Sequence, residues 1–392
     1  MTLPRFIQIH TLHAYPAALL NRDDAGLAKR MPYGDAVRTR ISSQCQKRHW
    51  RTADDHFALA NVGVPMAVRS RVTMGHIRER LIDAGSSEEL AQAAVEALRN
   101  GGLLDKADKN IEGADALKTG QVVLLGKAEI DYLVSRTRDL IKDYSDVSAL
   151  KAAVAQFLKD EKKNIEALKH GSGLESALFG RFVTSDVLAI REAAISVAHA
   201  FTVHEAQVEN DYFTVVDDLL RDTGERGSAG IFDTELASGL YYGYVVIDVP
   251  QLVANLEGID MKSCFTAPRE KRELAGQVAQ HLLHLIATVS PGAKRGSTAP
   301  FDYAKFMLVE TGDWQPRSLA GAFQNALPLD CPNLRQAAVA RVSDEITKLD
   351  AAYGAPLNRR FLSLDEVTVP AGERLSLADL GKWVQESIAR GE

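Results

Sequence analysis

Apolar and polar positions alternate along Arg5-Phe-Ile-Gln-Ile-His-Thr-Leu12, a period of two that predicts a strand over 5–12 with Ile7 and Ile9 on one face. Residues 13–41 are rich in turn formers (Pro16, Gly26, Pro32, Gly34) and read as a long basic loop. Ser42 or Ser43 then supplies an N-cap for a helix running to about residue 60. Between about 65 and 180, Ser87–Arg99, Lys127–Ile141 and Val147–Leu168 carry helical periodicity, punctuated by Gly101-Gly102, Gly113–Gly120 and Gly171–Gly173. Strand signals return over 193–204 and 239–249, either side of a polar, acidic excursion over 205–238. An amphipathic helix is expected over 268–289, a strand over 304–310, and closing helices near 333–351 and 375–390. With the helical stretch and the excursion set aside as insertions, the order is βαββαβ, so the expected class is α+β.

Composition narrows this further. The chain has 392 residues, 46% apolar and 25% charged, enough for two or more subdomains. Cys45, Cys264 and Cys331 are too few and too scattered for a disulfide framework or a zinc site, which favours a reducing, cytoplasmic setting. No secretory leader pattern and no apolar run of membrane-spanning length is seen, so no membrane partner is expected. Charge is unevenly spread. Residues 1–52 hold nine Lys/Arg against three acids, a net of +6, in a chain whose total is −6, so the remainder carries −12. One face is therefore suited to a polyanion while the rest is not.

The basic residues have a pattern. At about 100° per residue, Gln44, Lys47, Arg48 and Arg51 fall in one helical stripe, beside capping hydroxyls and N-terminal amides, parts that can hold a run of phosphates. The blander reading of such a stripe is a solvated helix face. Asp23 and Asp24 are candidate catalytic carboxylates, although an acid pair after Asn-Arg more often caps a turn. His10 and His13 are candidate acid–base groups, although a histidine in an apolar strand is more often a hydrogen-bonded core residue. His281 and His284 have metal-like spacing without a nearby acid or thiol, which favours packing. No G-x-x-x-x-G-K-[ST] loop occurs, so nucleotide hydrolysis is not expected, and neither a metal nor another cofactor is implied.

The segment Arg38-Thr-Arg-Ile-Ser-Ser-Gln-Cys-Gln-Lys-Arg48, preceded by Leu20-Asn-Arg-Asp-Asp24, resembles the N-terminal signature of the CasC family, RAMP-superfamily backbone subunits of the type I-E CRISPR Cascade complex. The likeness continues, in order, through Ala177-Leu-Phe-Gly-Arg-Phe182, Ser196-Val-Ala-His-Ala200, Asp211-Tyr-Phe-Thr-Val-Val-Asp-Asp218, Gly227-Ser-Ala229 and Pro291-Gly-Ala-Lys294. It implies a modified RRM-like, ferredoxin-like palm with a helical fingers insertion and a β-hairpin thumb. On this chain that gives a palm over 1–60, 186–204 and 239–392, fingers over 61–185 and a thumb over 205–238. The resemblance also implies a non-catalytic homo-oligomer that polymerises along crRNA and presents its bases to a target DNA strand. Its partners would be further copies of itself and the large, small, crRNA-processing and 5′-end subunits of Cascade.

Carried over position by position, Arg22, Lys29, Arg40, Ser42, Ser43, Gln44, Lys47, Arg48 and Arg51 match the segment that holds the RNA backbone. Phe182 stands where the family places an apolar wedge against a displaced base, a place where Met is familiar. Tyr212, Phe213 and Thr214 match the thumb tip beside the same base. Lys159, Lys162, Lys163 and Lys169 are the fingers lysines that would guide DNA. Asp217, Asp218, Asp222 and Glu225 would give the thumb an acidic surface facing the next copy. The competing expectation is an endoribonuclease on the same palm, using Asp24 or His10; a third is a module whose basic face meets an acidic protein.

Overall fold

The computed structural model describes residues 3–103, 117–119, 122–166, 168, 171–181, 190–216, 228–354 and 357–391. In chain order its elements are β1 (Phe6–Ala18), β2 (Arg30–Tyr33), β3 (Ala36–Ile41), α1 (Ser43–Arg51), β4 (Ala67–Ser70), α2 (Thr73–Asp83), α3 (Glu88–Leu98), β5 (Val123–Gly126), α4 (Lys127–Asp143), α5 (Val147–Asp160), α6 (Lys162–Glu166) and α7 (Leu174–Phe179). They continue with β6 (Ile195–Val197), β7 (Ala200–Thr202), β8 (Gln207–Val216), β9 (Ser228–Asp248), α8 (Val249–Glu257), α9 (Glu273–Thr288), α10 (Arg295–Thr298), β10 (Phe306–Gly312), α11 (Leu334–Tyr353), β11 (Asn358–Ser363), β12 (Gly372–Arg374) and α12 (Leu377–Arg390). The chain is thus a mixed α+β protein with a central sheet. It divides into two compact units, one of residues 1–59, 196–247 and 276–392, the other of 60–195 and 248–275. Residues 248–275 fall with the second unit, whereas the sequence reading kept 239–392 together.

The first unit is built on a sheet of order β12-β11-β10-β1-β9-β7-β3-β2, with β6 and β8 also paired to β9. β1 is buried along Phe6–Leu12 on both faces, so polar Gln8 and His10 are inside together with Ile7 and Ile9. On one face α11 packs Ala338, Val339, Val342 and Ile346 against Leu12, Leu308 and Phe361. At the centre of this sheet, charged side chains gather around Glu310. Its carboxylate receives bonds from both Arg317 terminal nitrogens (2.6 and 2.8 Å), Arg359 Nε (2.7 Å) and His10 Nε2 (3.2 Å). Arg359 continues to Asp350 on α11 with two bonds of 2.6 and 2.7 Å. Burial alone would raise the Glu310 carboxyl, but the bonds and charges of His10 and Arg317 hold it well below the usual range.

Three local expectations are revised. Residues 13–41 are not one loop: β1 continues to Ala18, and 30–41 form the hairpin β2–β3. Pro32 is tolerated there because β2 ends the strand path, where a missing N–H breaks no ladder. The turn needs Gly34, at φ +62°, since a Cβ would lie 1.6 Å from the Gln324 carbonyl oxygen. The helix starting at Ser43 stops at Arg51 rather than about residue 60, after which Asp55 accepts the Phe57 N–H at 2.9 Å and turns the chain. The strand expected over 193–204 is broken into β6 and β7, while the acidic excursion is the hairpin β8–β9, whose second strand runs for 21 residues.

The second unit buries one face each of α2, α3, α4 and α5 around Leu81, Val95, Leu133, Val154 and Phe157. Within it Arg181 pairs in two-pronged fashion with Glu129 at 2.6 and 2.9 Å, both side chains being buried.

Replacing Glu310 by Gln leaves the buried Arg359 guanidinium short of its counter-charge. We expect chemical denaturation to show a loss of about 3–5 kcal/mol. A loss under about 1 kcal/mol would mean that the cluster is not a fixed point of the fold.

Candidate nucleic-acid interface

The nine residues of α1 have two unlike sides. Trp50 is buried and Gln46 Nε2 donates to the Ala198 carbonyl at 2.9 Å, which pins the helix against the β6–β7 break. Cys45 is also on the inner side, its thiol pushed up to about 11 by burial despite the cations Lys29, Arg295 and Arg48 around it. Gln44 and Arg48 are exposed and Lys47 and Arg51 half-buried, so the predicted stripe lies on the outer side. Burial lowers the Lys47 ammonium.

The helix start is fixed by three side chains. Ser42 Oγ accepts the Cys45 N–H at 3.3 Å as the N-cap. Asn21 Oδ1 accepts the Ser42 N–H at 2.9 Å, and His199 Nδ1 accepts the Ser43 N–H at 2.9 Å. The amides at this terminus are therefore partly committed rather than all available to a ligand. Burial lowers His199, with Arg40 and Lys29 adding in the same direction, which keeps Nδ1 available as an acceptor.

The loop before β2 is tied to the same place. Lys29 N donates to the Asn21 carbonyl at 3.0 Å, and Arg40 N donates to the Lys29 carbonyl at 2.8 Å. Arg22 pairs with Ala28 across the loop, and Arg22 is exposed. Lys29, Arg40, Arg48 and Arg295 thus surround the start of α1, with Ser42 and Ser43 among them. Cations, hydroxyls and an amide on one side of a short helix form a surface for consecutive phosphates.

Some predicted residues lie elsewhere. Arg38, which opens the basic segment 38–51, is buried and donates to the carbonyls of Thr202 (3.2 Å) and Phe323 (3.0 Å). It holds the hairpin to the core and cannot meet a phosphate. Asp23 spends its carboxylate on the N–H groups of Ala25 (3.0 Å) and Leu27 (2.9 Å), a turn cap, with Asp24 exposed on the same turn. His10 is sealed inside, bonded to Tyr242 and Glu310. His281 bonds the Phe57 carbonyl and His284 stacks on the Phe57 ring at 3.6 Å, so both pack. No cluster of three or more metal-binding side chains occurs among the described residues.

On the hairpin, Tyr212 is 63% and Phe213 40% exposed, and Thr214 is exposed too. Strand alternation puts Phe213 on the opposite face from Tyr212 and Thr214, so the three do not share one surface. Phe213 stacks on Phe232 across the ladder, with Lys294 Nζ 5.7 Å from its ring centre. Lys159, Lys162 and Lys163 are exposed at the α5–α6 junction of the second unit. Phe182, Lys169, Asp217, Asp218, Asp222 and Glu225 lie outside the described residues.

Sequence reasoning gave no role to Asn21, His199, Phe232, Lys294 or Arg295. Asn21, His199 and Lys294 stand inside segments singled out above, which was the available signal; Phe232 and Arg295 had none.

The model of a family described as CT1975-like protein matches residues 7–386. A chain of a solved "CRISPR RNA-guided surveillance complex, pre-nicking" is 25% identical, with 98% of this chain and 100% of that chain covered at a TM-score of 0.78. A chain of another "CRISPR RNA-guided surveillance complex" is 22% identical over 97% and 99%, with a TM-score of 0.67, a likeness of fold. No curated protein matches the chain.

Acid should loosen this region. His49 donates from Nδ1 to the Cys45 carbonyl (2.8 Å) and accepts the Gly292 N–H at Nε2 (3.4 Å). His204 likewise donates to the Glu205 carbonyl (2.7 Å) and accepts the Leu240 N–H (3.1 Å). Protonation would set donor against donor in both. Burial lowers both rings below 6.5, and pushes His13 down to about 4. Their stabilisation is complete above pH 6.5 and lost as pH falls below it. We expect Tm to drop progressively between pH 6.5 and 4; a flat profile would contradict the neutral tautomers.

Proposed function

Because the chain belongs to the CT1975-like protein family, we propose that it is a non-catalytic backbone subunit of a CRISPR RNA-guided surveillance complex. More finely, we read it as a CasC-type subunit of a type I-E Cascade. The observation that carries this reading is the one-sidedness of α1, whose inner face is anchored by Trp50, Cys45 and Gln46 while Gln44, Lys47, Arg48 and Arg51 occupy the other. A helix held so firmly from behind presents its cations in fixed register, as a row of phosphates requires. Bases would face outward, and sequence would be read by pairing with target DNA rather than by side chains.

The sheet supports an RRM-like palm. With β1, α1, β6–β7, β9, α9 and β10 taken as the βαββαβ unit, the order β10-β1-β9-β7 is fourth, first, third, second, as in ferredoxin-like sheets. On this reading the second unit supplies the fingers and β8–β9 the thumb. The partners are crRNA, further copies side by side, and the other Cascade subunits. The described residues contain no helix long and apolar enough to cross a membrane, and a cytoplasmic setting is part of the same proposal. The ribonuclease alternative is weakened by the sealed position of His10.

The test is binding of a labelled CRISPR-type RNA across a salt series, with wild type and a Lys47→Ala/Arg51→Ala variant. Each single-strand phosphate contact adds about 0.7 to the slope of log K against log salt, so the double variant should flatten it by about 1.4. Intact RNA in stepwise larger complexes is the expected result. Shortened RNA would restore the nuclease using Asp24 or His10, and salt-insensitive binding would point to an acidic protein partner.

A further inference from the structure

The root of the β8–β9 hairpin carries an unusual pair. Thr234 and Glu235 are adjacent in β9 and therefore face opposite ways, yet both are buried, while Phe232 and Asp233 just beyond are exposed. Both sides of the strand are covered from this point inward, Leu236 and Ala237 being buried as well. On the Thr234 side, Lys294 Nζ donates to Thr234 Oγ1 and lies over the Phe213 ring. On the other side, Glu235 Oε1 accepts the Ala28 N–H at 2.9 Å and Oε2 pairs with the Arg30 guanidinium. Leu236 and Ala237 pack on Ala28 and Leu19 directly behind.

Ala28 is where the basic loop is joined together. It bridges to Arg22, and it precedes Lys29, whose N–H goes to the Asn21 carbonyl and whose carbonyl takes the Arg40 N–H. Arg40 Nε in turn donates to the Arg30 carbonyl at 3.4 Å. One carboxylate on the hairpin is therefore linked through Ala28 to the backbone of Arg22 and Lys29, and through Arg30 to the Arg40 guanidinium. Asn21 carries the same linkage to the N-cap Ser42.

We propose that Glu235 is a positioning residue for the RNA-binding surface, fixing the 22–30 loop and aiming Arg30, so that the hairpin and the phosphate groove are set by one acid. This rests on the function proposed above. An acid within a polyanion site is ordinarily a liability, since its charge repels phosphate. Its presence here is explained if the order it imposes on four cations outweighs that repulsion.

The two effects have opposite signs, which makes the test sharp. Glu235→Gln keeps an oxygen for Ala28 but loses the charge on Arg30, and Glu235→Ala loses both. If charge alone mattered, both variants would bind RNA more tightly than wild type. If Glu235 positions the loop, affinity falls in the order wild type, Gln, Ala, with about a tenfold loss for Ala, and amide exchange over 22–30 quickens in the free protein. Thermal unfolding is followed alongside, and an Arg30→Gln variant, which leaves Glu235 and its bond to Ala28 in place, checks the aiming of Arg30. It should lower the salt slope by about 0.7 while leaving exchange at Ala28 slow. Tighter or unchanged binding by Glu235→Gln overturns the proposal, as does unchanged exchange over 22–30 in Glu235→Ala. Failure of the wild type to bind RNA would instead refute the function, with the exchange data still deciding whether Glu235 orders the loop.

Discussion

A fully buried carboxylate, Glu310, is the constraint on which the first unit's sheet depends. Its charge would be untenable in the core but for Arg317 and Arg359, and it draws His10 from β1, Arg359 from β11 and, through Arg359, Asp350 from α11. Such a cluster tolerates little slippage, because shifting β1 by one residue would turn His10 to the other face of the sheet. Register is thereby fixed for β1, β10 and β11 together. The strand that is fixed at Glu310 is also the one that leads into the basic loop.

At that end the design is one of unequal faces. α1 is short, and nine residues of isolated helix would not persist in water. It persists because the cap, the Asn21 and His199 acceptors and the buried Trp50 all act on its start or its inner face. None of these contacts consumes the outer stripe. Arg38 shows the same economy in reverse, since a cation inside the basic run is used entirely for anchoring. A basic segment is thus two populations of residues, and charge count alone does not separate them.

The hairpin adds a second element that approaches the same surface. Its outer ladder exposes Tyr212, Phe213 and Phe232, rings able to meet nucleobases, which fits a strand that reaches beyond its own sheet. Its root is gripped by Glu235 on one side and Lys294 on the other. The exposed aromatic residues of the hairpin and the basic surface are therefore parts of one framework within the first unit.

Periodicity and charge were sufficient to determine much of this. The alternation at Phe6–Leu12, the amphipathic α9 and the strands at β9 and β10 are set by local apolar spacing, and the stripe Gln44–Arg51 follows from helical geometry whatever surrounds it. What only the tertiary structure decided are the places where distant segments meet. Pro32 and Gly34 signal turns over 30–41, and it is the pairing of β3 with β2 and with the distant β7 that makes a hairpin of that segment. Arg38 and Arg40 have the same parity on one strand, yet the Phe323 carbonyl lies near only the first. His199, Arg295 and Glu235 acquire their roles from partners roughly 150 to 250 residues away. Local pattern fixes which face of an element is apolar; which polar group is buried, and against what, depends on contacts that no window of the sequence contains.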